Sequence, residues 1–423
     1  MRKELNVPEI RFDGFSGDWK QKTMSEYSSK IGDGLHGTPK YTKNTGIYFI
    51  NGNNLTDGSI CITDETKEVS REDQSKDDIS LSSNTILLSI NGTIGNLAKY
   101  QGQSIMLGKS VAFITLENGD IDYMYTYLKT ERIQKYFLNS LTGSTIKNLG
   151  LKAIRESIVL APEKLNEQSK IGNYFQKLDS LISQHQQKHD KLSNIKKAML
   201  EKMFPKQGET IPEIRFKGFS GEWEEKPFGT CFANVPNNTL SRAELNYRTG
   251  LAKNIHYGDI LIKFGETLDA DSELIPFITN NDVANKLKHT ALQSGDIVIA
   301  DAAEDNTVGK CVELINVGDL LVFSGLHTIA VRPTQPFGSK YLGYYLNSGS
   351  YHDQLSSLMQ GTKVLSISKT AIQNTLVVFP NNVEEQAAIG NYFQKLDALI
   401  NQHQQQITKL NNIKQACLSK MFV

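Results

Sequence analysis

EQSKIGNYFQKLDSLISQHQQKHDKLSNIKKAMLEKMFP, residues 167–205, returns at 385–423 as EQAAIGNYFQKLDALINQHQQQITKLNNIKQACLSKMFV, with 27 of 39 positions identical. In the first copy, positions Ile171, Phe175, Leu178, Ile182, His185, His189, Leu192, Ile195, Met199 and Met203 form one strip. The second strip is Ile389, Phe393, Leu396, Ile400, His403, Ile407, Leu410, Ile413, Cys417 and Met421. Steps alternating between three and four residues are the seam of a coiled coil. Gln, Lys and Leu dominate both stretches, and Pro162 and Pro380 stand ahead of them. Both features favour helices. The spacing predicts long helices over 165–204 and 383–422. Two seams in one chain bury each other most simply, here antiparallel, with Tyr174 and Tyr392 beside the strips. A helix of this length runs about 1.5 Å per residue, so the pair could act as a spacer between two heads.

A second repeat opens each half. PEIRFDGFSGDW at 8–19 becomes PEIRFKGFSGEW at 212–223. A period beyond 200 residues is far too long for a solenoid unit and reads as a duplicated module. Between the shared parts, 20–142 and 224–360 diverge, apart from echoes such as Thr93-Ile-Gly and Thr307-Val-Gly. The divergent stretches carry short strand-like runs, TILLSINGTIGNLAKY and KSVAFITLE in one, GDIVIADA and GLHTIAVRP in the other. Each then turns helical, at YMYTYLKTERIQKYFLN and YLGYYLNSGSYHDQLSSLM. The expected fold class is α+β. Two mixed globules are separated by two long helices in an antiparallel coiled coil, with a pseudo-two-fold internal repeat. The expected boundaries are 1–160 for the first globule, 161–206 for the first helix, 207–380 for the second globule and 381–423 for the second helix.

The arrangement resembles the specificity subunits of Type I restriction–modification systems over essentially the whole chain. The twin PEIRFxGFSGxW openings, the twin IGNYFQKLDxLI segments and the KxMF endings at 202–204 and 420–422 carry the resemblance. It implies that each globule is a target-recognition domain reading half of a split double-stranded DNA site. It also implies partners: two modification (methyltransferase) subunits and restriction subunits with translocase and endonuclease activity. S-adenosylmethionine, ATP and magnesium would then belong to those partners, with no cofactor on this chain.

The residues themselves offer no catalyst. An amino-methyltransferase needs an (Asp/Asn)-Pro-Pro-aromatic stretch, and no Pro-Pro occurs. Gly108-Lys109-Ser110 mimics the end of a phosphate-binding loop, but Gln103 stands where a glycine is needed. Glu65-Thr66-Lys67 mimics a nuclease Glu-x-Lys, yet it lies inside DETKEVSREDQSKDD (64–78), which reads as a solvated loop. Four scattered cysteines and eight histidines without metal spacing predict neither disulfides nor metal. The polar opening Met-Arg-Lys-Glu-Leu-Asn and the absence of a long apolar run predict a cytoplasmic protein with no membrane span.

Lysine and arginine balance aspartate and glutamate at 46 each, so a DNA-facing surface must come from distribution. Residues 20–160 hold 16 basic and 15 acidic residues, but eight of the acids crowd between Asp57 and Asp78. Residues 224–380 hold 12 basic against 16 acidic, so contact there needs local clustering. Candidates in the first globule are His36, Thr38, Lys40 and Tyr41 in the glycine-rich IGDGLHGTPKY, Asn91 and Thr93 in a turn, and Lys109. Ser144, Thr145 and Lys147 follow a glycine near its end. Asn can pair bidentately with adenine, and glycine-rich turns can present N–H groups to phosphates. Candidates in the second are Lys263, Lys310, Thr362 and Lys363. Any of these could equally be an ordinary surface turn. The competing reading is a coiled-coil scaffold presenting two protein-binding heads, with no DNA involved.

Overall fold

The computed structural model describes residues 6–56, 58–145 and 147–423; the opening Met1–Leu5, Asp57 and Ile146 lie outside them. The chain divides into two units, 1–185 with 405–423, and 186–404. The first long helix, Leu165–Lys202, and the second, Val383–Lys420, therefore each give one half to either unit. Both end two residues short of the 165–204 and 383–422 read from the spacing.

In the first unit, four strands form a sheet in the order Ser28–Asp33, Val111–Leu116, Thr85–Ser89, Leu97–Lys99, every neighbour antiparallel. Thr85–Ser89 is buried throughout. Alternate side chains serve two cores, as the two-residue strand period requires. Ile86, Leu88, Ala112 and Ile114 face the helix Ile121–Leu128 and the long-helix residues Ile171, Phe175 and Leu178. Leu87, Val111 and Phe113 face a smaller core with Ile50, Leu55, Ile105 and Leu107.

The second unit repeats this plan with additions. Its sheet runs Phe232–Val235, Thr328–Pro333, Ile297–Ala300, Cys311–Ile315, Thr267–Asp269, with only the last pair parallel. Ile297, Ile299, Cys311, Ile329 and Val331 pack toward the helical frame. Val298, Ala300, Val312, Leu314 and Ala330 pack on the other face. A further four-stranded sheet, Leu245–Asn246, Phe277–Ile278, Ala252–Ile255, Leu321–Ser324, is added there.

Within each unit the helix halves pair antiparallel, as expected. In the first, the Tyr174 hydroxyl lies 3.6 Å from Cys417 Sγ and Lys414 pairs with Asp179 at 2.6 Å, so partner numbers fall on one helix as they rise on the other. In the second, Lys196 meets Asp397 at 2.7 Å and Phe204 stacks on Phe393 at 5.8 Å between centroids. Of the seam residues, Ile171, Phe175, Leu178, Ile389, Phe393 and Leu396 are buried. Tyr174, Ile182, Leu192, Tyr392, Ile400 and Leu410 are half-buried, as a bare two-stranded seam leaves them.

The repeated motifs lock globule to helix. Arg11 holds Glu167 through Nε at 2.7 Å and Nη2 at 2.8 Å, and Arg215 holds Glu385 at 2.6 and 2.7 Å. Trp19 packs against Tyr123 and Phe422, and Trp223 against Tyr341 and Phe204. The glycine of each IGNYF is steric: a Cβ on Gly172 would stand 2.6 Å from Tyr123 N, and one on Gly390 2.7 Å from Ser339 O. Bare backbone there lets a second helix approach.

Candidate nucleic-acid interface

In the first unit's sheet, the ends of Ser28–Asp33 and Thr85–Ser89 and the starts of Leu97–Lys99 and Val111–Leu116 share one edge. The connecting loops gather there. Leu35 N donates to Leu107 O at 2.8 Å, Gly34 N to Val111 O at 3.1 Å, and Ile90 N to Ser110 O at 2.9 Å. Leu149 N donates to Ile90 O at 2.9 Å, and Asn91 bridges Asn148. His36, Asn91, Thr93, Lys109, Ser144, Thr145 and Lys147 thus belong to loops laced to one another at this edge. All are exposed except the half-exposed Asn91. His36 Nε2 lies 2.7 Å from Asp33 Oδ2. Thr38 and Lys40 are exposed further along the same loop, and Tyr41 leads away from it, bridged to Val69 and edge-on to Phe49.

Gly32 and Gly34 answer to packing, while a Cβ on Gly37 would meet nothing. A Cβ on Gly34 would fall 2.1 Å from Leu107 O, and one on Gly32 would meet the Phe113 ring at 2.6 Å. The Thr93 and Thr307 echoes are equivalent turns, each closed by a left-handed glycine, Gly95 at φ +96° and Gly309 at φ +88°. Gly95 N donates to Ser89 O and Gly309 N to Ala300 O, both at 2.9 Å.

The acidic stretch 64–78 is less of a free loop than expected. Asp78 is buried, accepting from Ser75 N and from Leu107 N, both at 2.9 Å. Asp77 pairs with Lys30. Glu68 accepts from Thr45 N at 2.6 Å and Gly46 N at 3.0 Å, and backbone N–H donation, from Gly46 first, holds its pKa below the usual range. Three of the seven acids in the stretch are thus tied to the structure, while Asp64, Glu65, Glu72 and Asp73 stay exposed.

The second unit presents the matching edge. Ile367 N donates to Asp301 O at 2.9 Å and Ala302 pairs with Ser366, the counterpart of the Asn91–Asn148 contact. Thr362 and Lys363 sit exposed on the adjoining loop. Lys310 is turned inward: its Nζ donates to Leu261 O at 3.2 Å and Phe264 O at 2.9 Å, and burial lowers its pKa. It satisfies carbonyls at the end of the helix Tyr257–Ile262. Lys263, just beyond, is exposed.

Sequence reading missed the neighbours of Lys263. The buried Asp259 accepts from Arg242 Nη1 at 2.6 Å through one oxygen and from Lys263 Nζ at 3.0 Å through the other. Tyr247 Oη accepts from Lys263 at 2.7 Å. His256 Nδ1 faces Arg242 Nη2 at 3.4 Å and accepts from Gly258 N. Burial, then the Arg242 charge, lowers its pKa, which favours the neutral ring. The Tyr257 ring bridges to His327 at 5.2 Å, and His327 Nδ1 lies 3.3 Å from Asp301 Oδ1. The basic group is therefore continuous with the loop edge. Arg242 and Asp259 are 17 residues apart, and no local motif joins them.

A cavity of about 440 Å³ on the second unit is lined by Asp296, Glu313, Arg332, Gln335 and Phe337 among others. Arg332 is bound to Asp296 at 2.8 and 2.7 Å, and Glu313 accepts from Gly343 N at 2.9 Å. Among the described residues no group of three or more His, Cys, Asp or Glu is placed to hold a metal ion, and no helix is long and apolar enough to cross a membrane.

Three comparisons bear on this arrangement. Residues 18–194 and 253–412 match the family described as Type I restriction modification DNA specificity domain. The specificity subunit of the Type I restriction enzyme MjaVIII from Methanocaldococcus jannaschii is 23% identical over 339 residues, 76% of this chain and 74% of that protein. The crystal structure of a Type I restriction–modification S subunit from M. genitalium superposes with a TM-score of 0.58 at 16% identity, covering 99% of both chains. At that identity the likeness establishes the fold.

Proposed function

Since the chain belongs to the Type I restriction–modification DNA specificity family, we propose that it reads a bipartite double-stranded DNA target, one half-site per unit. One observation carries this reading: each unit presents the equivalent sheet edge on a repeated helical frame, while the loops at that edge differ in sequence. Constant frame and variable loops suit a protein whose sequence preference changes while its partner contacts stay fixed. The loops supply amides, hydroxyls and cations, the groups that read base edges and hold phosphates.

The chain acts through partners. Two modification subunits would bind the helical frame and transfer methyl groups from S-adenosylmethionine. Restriction subunits would add ATP- and magnesium-dependent translocation and cleavage. This chain supplies position: which duplex, which register, which strand segment is offered to the methyltransferase.

Methylome sequencing of a host expressing the chain with its modification partner tests the reading, together with duplex binding by the purified chain across a salt series. A single split motif and binding that weakens steeply with salt are expected. A continuous motif would overturn the two-head assignment. Absence of salt-dependent binding would favour a protein-only scaffold.

A further inference from the structure

We propose that Arg242, Lys263 and Tyr247 form a binding site for a DNA backbone phosphate, organised by the buried carboxylate of Asp259; the proposal rests on the DNA reading above and names where the second unit grips the duplex. This unit has more acids than bases, so a broad basic face is unavailable to it. The cluster solves that locally. One buried anion at 1% side-chain exposure holds two cations that are 45% and 40% exposed, leaving a net charge of +1 at the surface. That matches the single negative charge of a phosphodiester.

The donors are poised outward. Lys263 has two of its N–H groups engaged, on Asp259 and Tyr247, and among the described residues nothing takes the third. Tyr247 Oη accepts from Lys263, so its own proton is available to donate. Glu244, the nearest other carboxylate in sequence to Arg242, turns Oε2 to Ser241 N at 2.8 Å and Ser241 Oγ at 2.9 Å; it keeps its charge but forms no ion pair with Arg242 among the described residues.

The surroundings favour a polymer over a free ion. Tyr247 is 51% exposed and Ile262, beside Lys263, is 85% exposed. Asn246 Oδ1 accepts from Arg248 N at 2.8 Å and Thr249 N at 3.0 Å, a turn that carries Tyr247 and the exposed Arg248 together. Exposed apolar and aromatic surface among cations suits sugar and base edges flanking a phosphate. Lys310 has a positioning role: it holds the carbonyls on either side of Ile262 and Lys263 and so fixes their presentation.

The test uses the full chain and a short mixed-sequence duplex, with the dissociation constant measured against salt. Arg242→Gln and Lys263→Gln each leave Asp259 one cation, and a melting curve checks that the fold persists. Each should make the log–log salt slope shallower by about one and weaken binding alike on every duplex. Tyr247→Phe, which removes only an exposed hydroxyl, should weaken binding about fivefold with the slope kept. Folded Arg242→Gln and Lys263→Gln proteins with wild-type slope and affinity would overturn the site and leave the DNA reading standing. A wild-type chain whose binding ignores salt would overturn both.

Discussion

Arg11 and Glu167, separated by 156 residues, meet in a two-pronged ion pair in which the carboxylate is only 2% exposed. The same pair recurs as Arg215 and Glu385, with Glu385 at 1%. Each ties a PEIRF opening to the first turn of a long helix. Such a pair adds little over apolar packing, but breaking it strands a buried charge. Arg11→Ala should therefore cost about 3 kcal/mol of stability. Replacing both partners with methionine should cost clearly less. Denaturant melts of the three proteins check this, and equal losses in single and double variants would contradict it.

Glu313 gives the second unit a pH dependence. Burial pushes its carboxyl up to about 7, against the opposing backbone N–H groups of Gly343 and Lys340. A carboxyl with a raised folded-state pKa contributes stability that is fully present below its unfolded value. That stability is lost as pH rises through the folded value. Stability from this group should fall between about pH 5 and about pH 8. Glu313→Gln keeps one of the two acceptors and sets its NH2 against the other backbone N–H, so it should cost stability at every pH but remove that fall. The difference between wild-type and variant melting curves over this range isolates the effect; a flat difference would contradict the assignment.

The purified chain should transfer no methyl group, hydrolyse no ATP and cut no DNA when supplied with S-adenosylmethionine, ATP and magnesium. The expectation follows from the missing cofactor motifs and from its family. Turnover by the chain free of partner subunits would refute it.

At the first unit's loop edge, Asn91→Ala and Lys147→Ala should behave differently. Losing the amide should relax preference at one base pair by about 1–3 kcal/mol. Losing the lysine weakens all duplexes together and lowers the salt slope by about one. Competition binding with single-base variants of the target separates the two. Equal, sequence-independent effects would remove Asn91 from base reading.

The helical frame was legible because a seam is local: Ile171 to Leu178 shows its period within two turns, and the second copy repeats it. The glycine of IGNYF was visible too, though its reason, the approach of Tyr123 or Tyr341, was not. The strands of the common central sheet were legible as runs such as TILLSINGT and GDIVIADA, but their correspondence was not, because it rests on alternation of burial, as in Ile86, Leu87, Leu88 against Ile297, Val298, Ile299, with almost no identity. Lys263 stood out by composition, whereas Arg242, Tyr247 and Asp259 join it only through folding. Lys310 looks like any surface lysine until its carbonyl partners are seen. Side chains whose partners are backbone atoms or distant in sequence leave no local pattern to read.

The central claim is that each unit reads its own half of a split target. Exchanging residues 20–160 for the corresponding domain of a relative, and mapping methylated sites in a host that carries the modification partner, tests it most directly. The account predicts that one half-site changes while the other half and the spacing between them are retained. A change in both halves, or full modification of the original site, would contradict it.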